Sequence, residues 1–314
     1  MVLITEPQSI AAPQSSAAVT AFEQEFARLR KRSRLVWAAW TLVFIALFIL
    51  TGWHGDFFKV TQVTLQDGSR VWSWIIPPGI PRLGEYISKT IPTLRWDSLG
   101  ADFAEWFWRW RTWLWLLLET ILIAFMATTL AVVGGFLLSF PASRNLAPNL
   151  WVLWITRRAL EIARTVPDLV WALIFVFCFS VGPLAGVLAI ALHSVGALGK
   201  LYSEVNENID MRPLEGVKAA GGTWFDQIRY GAVPQVLPNI LSYTLLRFEI
   251  NVRSSSIIGY VGAGGLGQEL RTAMSFQEYT DLSALFVIIF VTVMVIDYGS
   301  EKLRHRVIGM EDSA

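Results

Sequence analysis

Groups that most soluble enzymes depend on are scarce in this chain. It holds one cysteine, Cys178, and three histidines in 314 residues. A lone cysteine closes no internal disulfide and fits no metal-ligand spacing. Standing inside an apolar run, it reads as a small buried apolar residue. His54 and His305 are too isolated to support a metal site, and none is expected. Charged residues make up only 16% of the chain, against roughly 25% in an ordinary soluble domain. A net charge of +1 supplies no bulk field for nucleic acid. The phosphate loop GxxxxGK followed by Ser or Thr is missing, so the chain is not expected to hydrolyse ATP itself. HExxH, a Cys/His cluster and a Ser-His-Asp set are missing too, which argues against a membrane enzyme. Without an internal repeat, an inverted-repeat secondary transporter is a weaker reading.

What the chain has instead is apolar length. Hydrophobic residues are 54% of it and 15 are tryptophan, a residue that concentrates where membrane meets water. The first 34 residues lack the apolar centre of a secretory signal. They read as a retained tail, disordered at first and helical from about Ala18. Residues 36–53 are uncharged and long enough for one spanning helix. Arg28, Arg30, Lys31, Arg32 and Arg34 precede them, which predicts a cytoplasmic N-terminus. A polar connection over 54–111 has turn signals at Asp67-Gly68 and Pro77-Pro78-Gly79. It ends in an interfacial segment, 106–111, of alternating aromatic and arginine character.

Further spans are predicted over 112–139, 163–181, 183–202, 236–258 and 282–296. Residues 149–164 should form a helix at the cytoplasmic surface that bends at Pro167. Residues 169–199 contain no charged residue, and at 1.5 Å per residue would run roughly 46 Å as one helix. Gly182-Pro183 divides that stretch in two. Lys302, Arg304 and Arg306 place the C-terminus in the cytoplasm as well. The expected fold class is an all-α polytopic membrane protein of about six transmembrane helices. The expected organisation is a cytoplasmic tail over 1–34, a first transmembrane helix and periplasmic connection over 35–111, a membrane core over 112–306 with a cytoplasmic loop at 210–238, and a C-terminal tail over 307–314.

The loop at 210–238 carries the most information. Asp210 can cap a helix that tolerates Pro213 in its first turn. Gly221-Gly222 stops that helix. Thr223 starts a second, with Asp226 placed for a capping box, and this one runs to Pro234 and Pro238. Two short helices around a glycine turn make a stiff element able to seat in a groove of a soluble partner.

This loop resembles the EAA loop of ATP-binding-cassette (ABC) importer permeases. That pattern is Glu-Ala-Ala, three residues, Gly, nine residues, then Ile-x-Leu-Pro. Glu215, Gly221 and Pro234 match its Glu, Gly and Pro, while Gly216, Val217, Gly231 and Val233 depart from it. The string Ile257-Ile258-Gly259-Tyr260-Val261-Gly262-Ala263-Gly264-Gly265-Leu266-Gly267 is similar to one shared by methionine and phosphonate importer permeases. Pro213-Leu214-Glu215-Gly216, the stretch from Pro167 to Phe175, Ala191-Leu192-His193-Ser194 with Gly199-Lys200-Leu201, and Arg229-Tyr230 leading to Val233-Pro234-Gln235-Val236-Leu237-Pro238 resemble the phosphonate branch. The likeness covers about residues 119–306.

The resemblance implies a type I ABC importer permease fold and import of phosphonate-type oxyanions (phosphonate, phosphite or phosphate) by alternating access. It implies partners: cytoplasmic ABC ATPase subunits, a periplasmic or lipid-anchored solute-binding protein, a second copy of the chain as homodimer, and membrane lipids. It implies a bacterial inner membrane location. No cofactor is expected on the chain itself, with ATP and Mg held by the partner ATPase. Glu215, Gly221, Gly222, Thr223 and Pro234 would couple to that ATPase. Two other readings stay open: the same class carrying methionine or another small polar solute, and an ion-coupled transporter acting without an ATPase.

Arg247, Glu249, Asn251 and Arg253 fall within one span, where each charge costs on the order of 3 kcal/mol unless it faces a cavity or a partner. Arg247, Asn251, Arg253, Ser254 and Ser255 either line the path of an anion, whose oxygens an arginine fork suits, or form internal pairs such as Glu249 with Arg253. Gly262, Gly264, Gly265 and Gly267 make either a tight turn shaping an outer gate or a site of close helix packing. His193, in an apolar span, is a proton relay or a hydrogen bond to a neighbouring helix. Glu119 reads as interfacial.

Overall fold

A computed structural model describes residues 16–55, 60–65, 68–73, 79–92 and 95–309. The chain divides into two units, 1–87 and 88–314, each taken by itself.

In the first unit, α1 (Ser16–His54) runs for 39 residues. Its segment Arg28–His54 is long and apolar enough to cross a membrane. The hydroxyls of Thr41 and Thr51 donate to Trp37 O at 2.8 Å and Leu47 O at 2.7 Å, so neither needs water inside lipid. The helix starts two residues before the expected Ala18. The tail expected to be disordered, 1–15, lies outside the described residues. Strands β1 (Thr61–Thr64) and β2 (Arg70–Ser73) pair antiparallel, Thr61 facing Ser73, and Gly68 turns between them with φ +83°. Among the described residues this hairpin is a small local exception in a helical chain. The Asp67-Gly68 signal marked its turn, but four-residue strands fall below what alternation can reveal. Pro77-Pro78 lies outside the described residues. Helix α2 (Gly79–Thr90) follows.

The second unit holds α3 (Leu99–Trp106), α4 (Trp110–Ala142), α5 (Leu150–Thr165), α6 (Asp168–Phe179), α7 (Pro183–Glu207), α8 (Arg212–Ala219), α9 (Trp224–Asp226), a π turn (Gln227–Ala232), α10 (Val233–Ile258), α11 (Leu266–Phe276) and α12 (Tyr279–Gly309). Helix α7 is central and packs on α4, α5, α6 and α10. Three buried clusters follow one another along α4: Ile123 and Ala127 with Ala172, Ala189 and Ile258; Ala131 with Leu198, Tyr202 and Val236; and Phe140 with Leu146, Leu214 and Ile228. Alanine recurs at these contacts because close backbone approach, not hydrophobic exclusion, drives helix association in lipid.

The expected span 163–181 is broken. Asn149 caps α5, accepting from Val152 N at 2.8 Å, and α5 meets α6 at 89°. Pro167 stands between them, since the residue before a proline leaves the helical region. Helix α6 has 12 residues, about 18 Å, too short to cross a core of about 30 Å by itself. Among the described residues four helices qualify singly as spans, five if the bent pair counts as one. Helix α10 is long enough at 26 residues, but it is too polar overall to stand in that count. The six-span expectation is therefore approximate. Cys178, read as buried, is exposed on α6, because only Ala172 of that helix is buried.

The interfacial segment is anchored to the ends of two helices. The indole of Trp106 donates to Ser283 at 2.9 Å and that of Trp108 to Asp281 at 3.0 Å, while Arg109 pairs with Glu269.

Candidate functional site

Two places collect the residues singled out by the sequence. The first is the elbow 210–238. Helix α8 carries Glu215 exposed in its first turn. Its N-cap is Met211, not Asp210 as expected. The Asp210 carboxylate, one residue outside, accepts from Arg212 N at 3.0 Å and Arg212 Nε at 2.8 Å. Those bonds and the guanidinium charge hold the Asp210 carboxyl below its usual range. Gly221 ends the helix with φ +84°, a conformation that costs other residues roughly 1–2 kcal/mol. Gly222 follows, its amide donating to Val217 O at 3.0 Å.

Thr223 and Asp226 form a reciprocal capping box, with Thr223 N donating to Asp226 Oδ2 at 2.8 Å. The Asp226 carboxyl is pushed down, chiefly by bonds from the Thr223 hydroxyl and amide. The second loop helix does not stop at Pro234. It passes through the π turn into α10, where Pro234 occupies the first turn, a position whose N–H a helix does not need.

This elbow rests on the α4–α5 connection. Trp224 Nε1 donates to Leu146 O at 2.7 Å. Asn145 Nδ2 donates to Asn206 O at 2.7 Å, Arg157 pairs with Glu207, and Arg144 N donates to Glu207 at 2.9 Å. Phe225 and Tyr230, farther along the elbow, remain 75% and 61% exposed.

The second place is the polar part of α10, which faces two ways. Arg247 Nε donates to Ser194 Oγ at 2.9 Å; Ser194 donates to Asn251 Oδ1 at 2.9 Å; Asn251 donates to Thr128 Oγ1 at 2.9 Å. Arg253 lies apart, 3.2 Å from Asp297 and 3.7 Å from Glu249. Ser255 donates to Thr120 O at 3.1 Å. Ser254 is half-buried.

The glycine turn is buried from Gly262 to Gly267. It touches the start of α7, where Gly182 N donates to Gly262 O at 2.9 Å. It touches α4 through Leu266 N, which donates to Thr120 Oγ1 at 2.8 Å. Gly265 has φ +70°, and a Cβ there would overlap Thr120 Oγ1. Gly264 stands beside Glu119 and Pro183, and Gly267 beside Ser256 O.

His193 Nδ1 lies 3.0 Å from Val166 O, the bond to a neighbouring element. Sequence reasoning missed Thr120, Thr128, Ser194 and Asp297. The first three are small polar residues in apolar runs without a local pattern. Asp297 carried a signal as an acid at the end of an apolar span.

The family model for binding-protein-dependent transport system inner membrane components matches residues 131–298. The chain is 36% identical over 215 residues to the phosphite transport system permease protein PtxC of Stutzerimonas stutzeri, covering 68% of this chain and 77% of that one. It is 38% identical to the phosphate-import permease protein PhnE of Mycolicibacterium smegmatis, over 57% of this chain and 34% of that one. In fold it is similar to a chain of the MetNI methionine ABC transporter in inward-facing conformation, with TM-score 0.53 and 18% identity over 62% of this chain and 95% of that one.

Proposed function

The chain belongs to the family of binding-protein-dependent transport system inner membrane components, and from that premise we propose that it is the permease of an ABC importer for phosphite, phosphonate or phosphate. It is a bacterial inner membrane protein. The observation that carries the reading is the elbow 210–238, a folded two-helix element seated on the α4–α5 connection, within the family match. The likeness to phosphite and phosphate permeases supports the oxyanion over methionine.

In this reading separate ATPase subunits bind ATP and Mg; ATP closes them and the helices open outward, and hydrolysis resets them inward. Glu215, Gly221, Gly222, Thr223 and Pro234 shape the surface they grip, and exposed Phe225 and Tyr230 fill a groove on them. A binding protein delivers solute from outside, and two copies of the chain enclose the path. Both termini lie in the cytoplasm, and the domain limits are 1–34, 35–111, 112–306 and 307–314. Arg247, Asn251, Ser254 and Ser255 line the path, Arg253 borders it, and Gly262, Gly264, Gly265 and Gly267 shape its gate. The stiffness of the elbow is what lets a change in ATPase spacing become helix motion.

The test is reconstitution in liposomes with the ATPase and binding protein encoded beside it. ATP-dependent uptake of phosphite, phosphate or methylphosphonate is expected. Uptake without the ATPase, or of methionine alone, would defeat the reading.

A further inference from the structure

Of the two arginines in α10, one is neutralised and the other is not. Arg253 has two carboxylates, Glu249 and Asp297, within 4 Å. Arg247 has no ion-pair partner among the described residues. Its Nε is held by Ser194, and its two Nη nitrogens make no hydrogen bond to any described residue. Ser194 is itself fixed by Asn251, and Asn251 by Thr128; all three are buried, and Ser194 and Asn251 fully so. Arg247, Ser194 and Thr128 each stand near the midpoint of their helices. A guanidinium kept at that depth by a chain of neutral groups, with its fork unpaired, has the donor geometry for a tetrahedral oxyanion.

Helix α6 packs on α10, and Asp168 stands in its first turn, just past the 89° break from α5; after burial, the charge of Asp168 is what bears on Arg247. His193, next to Ser194, contacts Val166 O in the same break. The break thus sets Asp168 on a helix packed against α10, with no ion pair to Arg247.

We propose that Arg247, oriented by Ser194 and Asn251, is where the permease holds the passing oxyanion, and that Asp168 is the competing carboxylate that speeds its release. This rests on the importer reading above and divides the polar residues of α10 into a binding arginine and a neutralised one. Conduction needs a site that binds well enough to enter and weakly enough to leave. A resident acid beside the cation supplies the second condition.

The experiment uses the full complex with its ATPase and binding protein. Uptake of phosphite is measured in liposomes. Retention of labelled inorganic phosphate is measured on the purified complex without binding protein. Losing a charge-assisted bond corresponds to about tenfold or more. Arg247→Gln is therefore expected to lower uptake and retention by about that factor in a complex that still assembles with its ATPase. Ser194→Ala, a milder change, should lower retention less. Asp168→Asn should do the opposite to retention, raising it, while slowing turnover. Wild-type retention and uptake in Arg247→Gln would overturn the proposal. So would a fall in retention in Asp168→Asn. If the wild-type complex moves no oxyanion at all, the importer reading fails first, and that result is separate from either variant.

Discussion

The indole nitrogen of Trp224 donates to the carbonyl oxygen of Leu146 at 2.7 Å. One residue belongs to the elbow and the other to the connection 143–149 between α4 and α5. Their bond joins the elbow to the end of the helix that runs the length of the core. The same connection is tied to the end of α7 by Asn145 and Arg144. The elbow is thereby tied to the ends of α4, α5 and α7.

Trp224→Phe keeps the ring and removes the donor. A neutral hydrogen bond is worth about 1 kcal/mol net, so the complex should still assemble. Solute moved per ATP hydrolysed should fall, while ATP hydrolysis persists. An unchanged ratio in liposomes would show that the bond transmits nothing.

Two glycines of the elbow should respond with opposite sign. Neither Gly216 nor Gly221 has an atom within 4 Å of a built Cβ, so space is not at issue. Gly221→Ala forces a left-handed residue, at roughly 1–2 kcal/mol. Gly216 lies inside α8, where alanine is favoured by about 0.5–1 kcal/mol. Thermal unfolding of the purified protein should place the two on either side of wild type.

The capping box gives a pH dependence. Bonds from Thr223 lower the Asp226 carboxyl in the folded elbow. A depressed acid contributes stability above its unfolded value, about 3.9, and loses it as pH falls through the lower folded value. Protection of the Thr223 amide from exchange, relative to its intrinsic rate at each pH, should therefore hold from neutral pH down to about pH 4 and fall below. Asp226→Asn should abolish that acid-dependent step. A step near neutrality would contradict the assignment.

Thr120 is the keystone of the glycine turn. Thr120→Val removes the acceptor of Leu266 N, a buried amide, at a cost of about 1–3 kcal/mol. Gly265→Ala adds steric overlap with Thr120 to a positive φ and should cost more than the Gly221 change. Both should lower the melting temperature, Gly265→Ala further. The reverse order would mean that the turn gives way easily.

Much of this was legible in the chain itself. Apolar run length fixed where the long helices lie, because lipid leaves a backbone no other partner than its own helix. Thr223 with Asp226, and Gly221, announced the elbow, because capping and left-handed turns are local chemistry. Glu249 and Arg253 announced their pairing by spacing alone. Tertiary structure decided the rest. Nothing local marks Ser194 as the residue that holds Arg247, or Asp297 as the acid that claims Arg253, since each partner arrives from another helix. The bend at Pro167 was announced by the proline, but the exposure of Cys178 and the passage of the elbow into α10 past Pro234 were set by packing. A side chain's neighbours across the core depend on helix rotation, which a one-dimensional pattern of polar and apolar residues leaves open.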